Sequence, residues 1–333
     1  MIRMQGLFRT FTVITSLVIT AISSSDSVSA GIITFGSGGN AFNMDFTTIG
    51  SAGNAADTTG SPNPAGAVSY TYQMGTYEVS EDMITKYNAN FGTANSLAIT
   101  KDTRSADKPA THVSWNEAAR FVNWLNTSQG YQAAYKFTTS GVNDNIALWS
   151  VSDAGYDSAN LFRNSLATYV LPSMDEWYKA AFYNPVTSTY GDYATANGLV
   201  PTAVASGTAA NTAVYGQTAG QGPADITLAG GLSPFGIMGL GGNVWEWQET
   251  ENDLNNSSGS SSRGIRGGNW GSSSFDLSSS MRGDDNPDRG GSSIGFRVAS
   301  LSSSAAAVPE PGSFVVLSLM GLSGWWYRGR KRK

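Results

Sequence analysis

The chain has 333 residues, 39 of them glycine, and carries a formal net charge of −5. It contains no cysteine and one histidine, His112, which excludes disulfides, thiolate metal sites, cysteine nucleophiles and three-histidine metal centres. Only 14% of the residues are charged, and the abundance of Gly, Ser, Ala, Thr and Asn favours an extracellular, loop-rich domain.

The first 30 residues have the pattern of a secretory signal peptide. Arg3 and Arg9 form a basic region, residues 11–22 form an apolar run too short to span a bilayer, and residues 28–30 (Val-Ser-Ala) suit cleavage. A buried first helix is the alternative, but polar residues follow the apolar run at once. We therefore expect an exported protein whose mature chain begins near residue 31.

The mature region is acidic. Residues 31–312 contain 13 Lys and Arg against 24 Asp and Glu, a net charge of −11. This balance argues against nucleic acid and anionic membranes as partners. It is compatible with calcium binding or with solubility outside the cell.

The first part of the mature chain predicts strands. Residues 31–66 alternate short apolar pieces with turn residues, and Ala67–Ser80 places Val68, Tyr70, Tyr72 and Met74 on one face. We interpret the second stretch as a pair of strands.

Three helix starts follow along the chain. Ser80, Ser114 and Ser173 are typical N-caps, and the last two have Glu117 and Glu176 three residues later, which makes two capping boxes. We therefore interpret these glutamates as helix-start residues rather than catalytic acids. His112, two residues before a cap, is interpreted as structural rather than as part of a catalytic triad. From about residue 184 to 300 we expect short strands and ordered loops around a Trp-rich core.

The stretch Gly239–Thr250 (GLGGNVWEWQET) permits two interpretations. The carbonyls of Gly242 and Val244 and the carboxylate of Glu246 could ligate calcium. Alternatively, the tryptophans are core residues and Glu246 pairs with an arginine such as Arg266. The spacing does not separate these two interpretations.

The C-terminal residues are also patterned. Residues 302–312 form a linker that ends in the triplet Pro309–Pro311 (Pro-Glu-Pro), and residues 313–333 form an apolar segment and a basic tail. This order resembles the PEP-CTERM sorting signal of Gram-negative bacteria. The resemblance implies recognition by an exosortase and delivery to the cell envelope, outer surface or extracellular matrix. An ordinary C-terminal membrane anchor is the alternative.

Six stretches in order resemble the formylglycine-generating-enzyme, or sulfatase-modifying-factor, family from about Phe46 to Ser300. They are YQMGTYEVS, THVSWNEAARFVNWLN, YVLPSMDEWYKAAF, SPFGIMGLGGNVWEW, GIRGGNW and GFRVAS. The resemblance implies an α+β domain over residues 31–301, the formylglycine-generating-enzyme variant of the C-type-lectin fold, with few regular elements. It assigns structural motif roles to five residues: Asn243, Trp245, Trp247, Arg266 and Arg297.

The family's best-known activity uses a copper-binding cysteine pair. The resemblance places Ser272 at the first of these positions and Asp276 or Leu277 at the second, so we expect neither copper nor formylglycine generation. The related iron-dependent sulfoxide synthases need histidines that this chain also lacks.

The ligands of the family's calcium sites match this sequence only in part. Gly242, Val244 and Glu246 match one family site, but the place of its side-chain donor is Gly239, which has no side chain. A second family site aligns loosely near Asn211 and the following Thr212.

Three functional hypotheses follow from these observations. The first is an exported, non-catalytic protein with a binding or structural role. The second is an enzyme of the same fold that uses the loop acids Asp284 and Asp285, with Arg282, in place of thiols. The third is binding of an extracellular glycan or protein by the loops of residues 251–294.

Overall fold

The computed structural model describes residues 31–301. The predicted signal peptide, the linker and the C-terminal segment with its basic tail lie outside these residues. The described part is a mixture of short strands with a few helices, as the predicted α+β class requires. Within it, no helix is both long enough and apolar enough to cross a membrane.

A five-stranded antiparallel sheet joins the two ends of the described chain. Its strand order is β1-β2-β3-β13-β4. The bounds are β1 Gly31–Phe35, β2 Phe42–Ile49, β3 Tyr72–Gly75, β4 Tyr169–Val170 and β13 Ala299–Ser300.

The prediction of a strand pair over Ala67–Ser80 is wrong. This stretch contains the single strand β3, which pairs with β2 on one side and β13 on the other. Val68, Tyr72 and Met74 are buried as their alternation predicts, whereas Tyr70 is 43% exposed. Alternation identifies which residues face the core, but it does not identify the neighbouring strand.

All three predicted helix starts are confirmed. The helices are α1 Glu81–Tyr87, α2 Trp115–Ser128 and α3 Met174–Phe182, and a π-helical turn, Asn88–Gly92, follows α1. The side chain of Ser80 accepts a hydrogen bond from Met83 N. Complete capping boxes begin α2 and α3, so Glu117 and Glu176 occupy the predicted helix-start positions.

The core is rich in aromatic side chains between α2 and the large sheet. Trp115, Trp177 and Trp247 are fully buried. On α2, Phe121 lies 5.7 Å from Phe296 between ring centroids, in an edge-to-face arrangement. Because this cluster collects residues from distant parts of the chain, it fixes the position of the irregular C-terminal segments.

A second, four-stranded sheet carries the Gly239–Thr250 stretch. Its order is β11-β10-β9-β12, with β9 Trp245–Glu251, β10 Arg263–Arg266, β11 Gly283–Asp285 and β12 Ile294–Gly295. The remaining strands form two small pairs: β5 Tyr183–Asn184 with β6 Thr189–Tyr190, and β7 Thr202–Ala203 with β8 Thr212–Ala213. Three 3-10 turns complete the elements: Gly38–Asn40, Ile226–Leu228 and Ser274–Leu277.

Candidate functional site

The loop that leads into β9 depends on three left-handed residues. Gly239, Gly242 and Asn243 have φ angles of +80°, +82° and +62°. Glycine adopts this conformation without steric cost, and asparagine tolerates it when its side chain finds local partners. A Cβ at position 242 would lie 2.9 Å from the backbone carbon of Val214, so glycine is also required there for close approach.

Asn243 connects four separate segments around this loop. Its Nδ2 donates to both carboxyl oxygens of Glu78 at 3.0 Å, and its Oδ1 accepts from Ala224 N at 2.8 Å. Its backbone N–H donates to Val214 O, and its carbonyl accepts from Trp270 N. Asn243 is fully buried. The structural role expected for this residue is therefore visible in its contacts.

Glu78 is a buried acid that the sequence reasoning missed. It is 1% exposed and its carboxyl group fills the space next to Gly239, where an added Cβ would lie 2.9 Å from Glu78 Cδ. Burial, and then the nearby Glu246 carboxylate, raises the pKa of Glu78 well above its ordinary value. The signal available in the sequence is that Glu78 lies within the family-like stretch YQMGTYEVS.

A cavity of about 340 Å³ opens beside Glu78. Its lining comes from β1, β2, α1 and the 3-10 turn Ile226–Leu228, and it is mainly apolar. Asp45 is the other acid on its wall. Glu78 thus belongs to the wall of this cavity although only 1% of its surface is exposed.

Glu246 pairs with an arginine, and that arginine is Arg297. Arg297 Nε donates to Glu246 Oε2 at 2.6 Å, Arg297 Nη2 donates to Oε1, and Trp177 Nε1 donates to Oε2 at 2.7 Å. All three side chains are fully buried. Arg297 also donates to the carbonyls of Gly75 and Met238, both at 2.9 Å. The pair and its partners therefore link β9, α3, the end of β3 and the loop before β9.

Arg266, the arginine suggested by the sequence, has other partners. It lies opposite Glu246 in the β10–β9 register, but its Nη1 donates to the carbonyls of Met281 and Ser279. Its guanidinium group lies 5.0 Å from the ring centroid of Tyr178. Burial, with the nearby charge of Arg282, lowers the pKa of Arg266 to about 9.

The two tryptophans of the motif differ in burial. Trp247 is fully buried and its Nε1 donates to Val113 O at 3.0 Å. Trp245 is partly buried and packs against the core, and its backbone N–H donates to Ser293 O. Both tryptophans therefore contribute to packing, as the second interpretation of the motif predicts.

A second buried charge cluster lies under α3. Arg163 donates to both carboxyl oxygens of Glu176, at 2.8 and 2.9 Å, and its Nε donates to Glu249 at 2.8 Å. Burial works to raise the pKa of Glu176, but the charge and hydrogen bonds of Arg163 hold that pKa below its ordinary value. Glu176 thus combines its capping role with a buried ion pair. No sequence motif marks Arg163 for this role.

The loop offers oxygen atoms of the type that calcium prefers. Among residues 31–301, the carbonyls of Gly242 and Val244 accept no hydrogen bond, whereas the carbonyl of Asn243 between them does. Two buried carboxylates, Glu78 and Glu246, interact across the same region. The donor set is therefore compatible with calcium, and the Glu78 carboxyl fills the volume that a side chain at Gly239 would enter.

Other sequence-predicted metal and catalytic residues lie elsewhere. Asn211 immediately precedes β8, and its Oδ1 accepts a hydrogen bond from Asn197 N at 3.2 Å. In the described part of the chain, no group of three or more acidic, histidine or cysteine side chains is arranged to hold a metal ion. The motif loop thus combines two acids with carbonyls, and Asn211 is not among its contacts.

Ser272 and Asp276 have local structural roles. Ser272 Oγ accepts from Asn269 N at 3.1 Å, and Asp276 accepts from Ser273 N in a capping box at 2.9 Å. Leu277 is buried in contact with the motif loop, where it approaches Gly241 and Gly268. None of these groups is a soft metal ligand.

The loop acids are separated from the motif. Asp284 and Asp285 lie on β11, and β10 stands between β11 and β9, which carries Glu246. Asp284 is exposed. Asp285 Oδ1 accepts from the next backbone N–H, that of Asn286. The structure does not bring these two acids together with Glu246.

His112 has an unusual backbone but no triad partner in the described residues. Its φ is +66°, its side chain is about half exposed, and its Nδ1 lies 4.0 Å from Asp102 Oδ1. No serine or threonine hydroxyl within residues 31–301 bonds to its ring. Its backbone N–H donates to Gly291 O.

Comparison with known proteins identifies the family. The sequence profile of the sulfatase-modifying factor enzyme 1-like domain matches residues 36–301. The chain belongs to this family. Curated proteins give no match.

The solved structures that are similar to the chain include the following two. Treponema denticola variable protein 1 is 21% identical over 81% of this chain and 98% of its own, with a TM-score of 0.56. CarF is 18% identical over 78% of this chain and 99% of its own, with a TM-score of 0.54. At such identities the similarity shows a shared fold and leaves activity open.

Proposed function

We propose that this family member is an exported, non-catalytic protein that acts by binding or as a structural component of the cell envelope or matrix. One observation carries the proposal. The positions that correspond to the copper-binding cysteines are Ser272 and Asp276 or Leu277, and their side chains close local turns or fill the core. Since the chain has no cysteine anywhere, copper(I) has no thiolate to bind.

The direct test is an activity assay on a cysteine-containing sulfatase peptide with copper and oxygen. We expect no mass change of the peptide, while a family member that has the cysteine pair converts it under the same conditions. Formation of formylglycine by the present protein, abolished by heat denaturation, would refute the proposal.

The proposal also includes a specific fold variant and a calcium site. The mixed sheet arrangement and the match to the sulfatase-modifying factor enzyme 1-like domain support the formylglycine-generating-enzyme variant of the C-type-lectin fold. The free carbonyls of Gly242 and Val244 and the facing carboxyl groups of Glu78 and Glu246 support a structural calcium ion. When bound, calcium would supply a counter-charge for Glu78, whose neighbour Glu246 already pairs with Arg297, and it would stabilise the loop before β9.

Calcium binding is tested by thermal unfolding in chelator and in excess calcium. We expect a rise in Tm with calcium for the wild type, and a much smaller rise for Glu78→Gln, which keeps the shape of the side chain and its hydrogen bond to Asn243. An equal rise of Tm in both proteins would show that Glu78 is not a calcium ligand. No rise in either protein would contradict the calcium proposal itself.

A binding role is supported by the polar loops beside the second sheet. Residues 252–261 are mostly exposed and rich in Ser and Asn. Phe275 is 63% exposed in the β10–β11 connection, which leaves the opposite end of β10. Small polar groups, and separately an exposed aromatic ring, suit recognition of an extracellular glycan or protein. Elsewhere in residues 251–294, strands with buried residues are less suited to replacement.

A glycan array provides the test of this binding role. We expect binding that is lost when residues 252–261 are replaced by a Gly-Ser linker of equal length and when Phe275→Ala is introduced. Unchanged binding by both variants would favour a purely structural role for the loops.

Export and sorting are proposed from the sequence of the two ends. The signal-like residues 1–30 and the Pro-Glu-Pro segment with its basic tail support passage across the inner membrane and processing by an exosortase. Membrane contact through residues 313–333 would then precede processing. Fractionation of cells that express the chain with and without residues 309–333 tests this: we expect the truncated protein to lose its association with the envelope or surface.

A further inference from the structure

Glu251, the last residue of β9, has a carboxyl oxygen without a partner. The residue is 1% exposed, and its Oε1 accepts from Ser258 N at 2.5 Å. Its Oε2 is buried and has no hydrogen-bond partner among the described residues. A buried carboxylate oxygen without a donor carries a desolvation cost that a native structure normally offsets with a bound group.

The nearest candidate for a counter-charge is used elsewhere. Arg263 stands opposite Glu251 in the β10–β9 register. Its guanidinium group lies 4.5 Å from the ring centroid of Trp115 and 4.3 Å from that of Phe162. Its Nη atoms donate to the carbonyls of Ser261 and Gly259. Arg263 therefore forms no ion pair with Glu251 within residues 31–301.

Arg282, the other nearby cation, is also bound to backbone. It donates to the carbonyl of Glu251 at 2.9 Å and to that of Asn252 at 2.6 Å. These bonds fix the start of the loop and turn both carbonyls toward the arginine. The carboxyl group of Glu251 keeps its unsatisfied oxygen.

A second carboxyl group meets Glu251 from the solvent side. Asp253 is exposed, and its carboxyl group lies close enough to that of Glu251 to influence its pKa. Asp253 also accepts from Asn255, through the backbone N–H at 3.1 Å and through Nδ2 at 3.2 Å. Burial, and to a lesser degree the Asp253 carboxyl, raises the pKa of Glu251. Two carboxyl groups so placed need either a shared proton or a cation between them.

We infer that the end of β9 and the following loop form a binding site for a calcium-like divalent cation, held by the carboxylates of Glu251 and Asp253. All side chains at the site offer oxygen or amide groups, which are ligands for hard cations and not for zinc or copper. Rotation of the Asn255 amide by half a turn presents its oxygen to the cation, and water supplies the remaining ligands. The cation replaces the counter-charge that Arg263 does not provide.

This site is separate from the one proposed at the start of β9. Glu251 lies five residues after Glu246 on β9, which corresponds to about 16 Å along an extended strand. The inference does not depend on calcium at Glu78 and Glu246. Each site can be removed by its own substitution.

Calcium titration of the full chain by calorimetry tests the inference in a Glu78→Gln background, which disables the first site. We expect one calcium ion per chain in this background. Adding Glu251→Gln or Asp253→Asn should weaken its binding at least tenfold. Asp288→Asn is the charge-matched control, since Asp288 is an exposed acid that offers only its backbone carbonyl to Asn143, and it should leave the affinity unchanged.

The results separate the alternatives. Equal calcium binding with and without Glu251→Gln would overturn the inference. So would an absence of binding in the Glu78→Gln background, which would assign the carboxyl pair a shared proton. If Glu251→Gln fails to fold, Asp253→Asn decides, because Asp253 is exposed and its removal leaves the buried bonds of Glu251 in place.

Discussion

Replacing Glu246 by glutamine should destabilise the protein strongly even without any metal. The carboxylate accepts two hydrogen bonds from Arg297 and one from Trp177, and all three side chains are fully buried. Glutamine keeps one oxygen but turns an amide NH2 group toward donors. The buried guanidinium group then loses its counter-charge, and one N–H group loses its acceptor.

The expected magnitude follows from the loss of a buried ion pair. Removing one partner of such a pair typically costs about 3–5 kcal/mol, because the other charge remains buried. For a domain of this size, each kcal/mol corresponds to roughly 2–4 °C in Tm, so we expect Tm to fall by about 10 °C. Arg297→Met should cost a similar amount, since the carbonyls of Gly75 and Met238 also lose their donor.

The assay is urea unfolding in the presence of a calcium chelator, with a double-mutant cycle. We expect the double variant Glu246→Gln/Arg297→Met to be less destabilised than the sum of the single variants by about 2–3 kcal/mol. Additive effects, or a cost below about 1 kcal/mol for Glu246→Gln in chelator, would refute the structural ion pair. A cost that appears only when calcium is present would show that Glu246 acts mainly as a metal ligand.

Three further substitutions test other parts of the structure. Arg163→Met leaves two buried glutamates without their counter-charge, so we expect a loss of about 3–5 kcal/mol in urea unfolding; a loss below about 1 kcal/mol would contradict the buried bridge. Lys179 is fully buried, and burial lowers its pKa to about 8. Between about pH 8 and 10.5 the unfolded chain therefore binds more protons than the folded chain. The free energy of unfolding of the wild type should consequently rise with pH across that window. Lys179→Met should remove this slope and add about 1–3 kcal/mol at pH 7; an unchanged slope would show that another group titrates. Gly239→Ala and Gly236→Ala both place alanine at positive φ, but only Gly239→Ala brings a Cβ to 2.9 Å from Glu78 Cδ. The Tm of Gly239→Ala should therefore fall further than that of Gly236→Ala. Equal losses of Tm would exclude that contact.

Much of the local structure could be predicted from neighbouring residues. The caps at Ser114 and Ser173 join atoms three residues apart, so the sequence pattern contains both partners of each hydrogen bond. The same holds for the absence of cysteine, which excludes the copper chemistry without reference to the fold. The core position of Trp247 was also predicted, from its place in an aromatic motif.

The partners of the motif residues could not be predicted in the same way. The motif spacing permits either a metal ion or an arginine as the partner of Glu246, and it suggests Arg266 as the arginine. The partner found in the structure is Arg297, which is 51 residues away along the chain. Two residues that face each other on paired strands do not necessarily form a salt bridge, because a side chain as long as that of arginine can reach several acceptors.

The sequence by itself therefore determined the family, the helix starts, the core position of the motif tryptophan Trp247 and the absence of thiol chemistry. Each of these depends on residue identity or on spacing within a few residues. The tertiary structure decided which acids are buried together: Glu78 meets Asn243 from 165 residues away, Glu249 shares Arg163 with Glu176, and Glu251 is left without a cation. The physical reason is that burial and charge pairing depend on which distant segments pack together, and spacing along one chain carries no direct record of that.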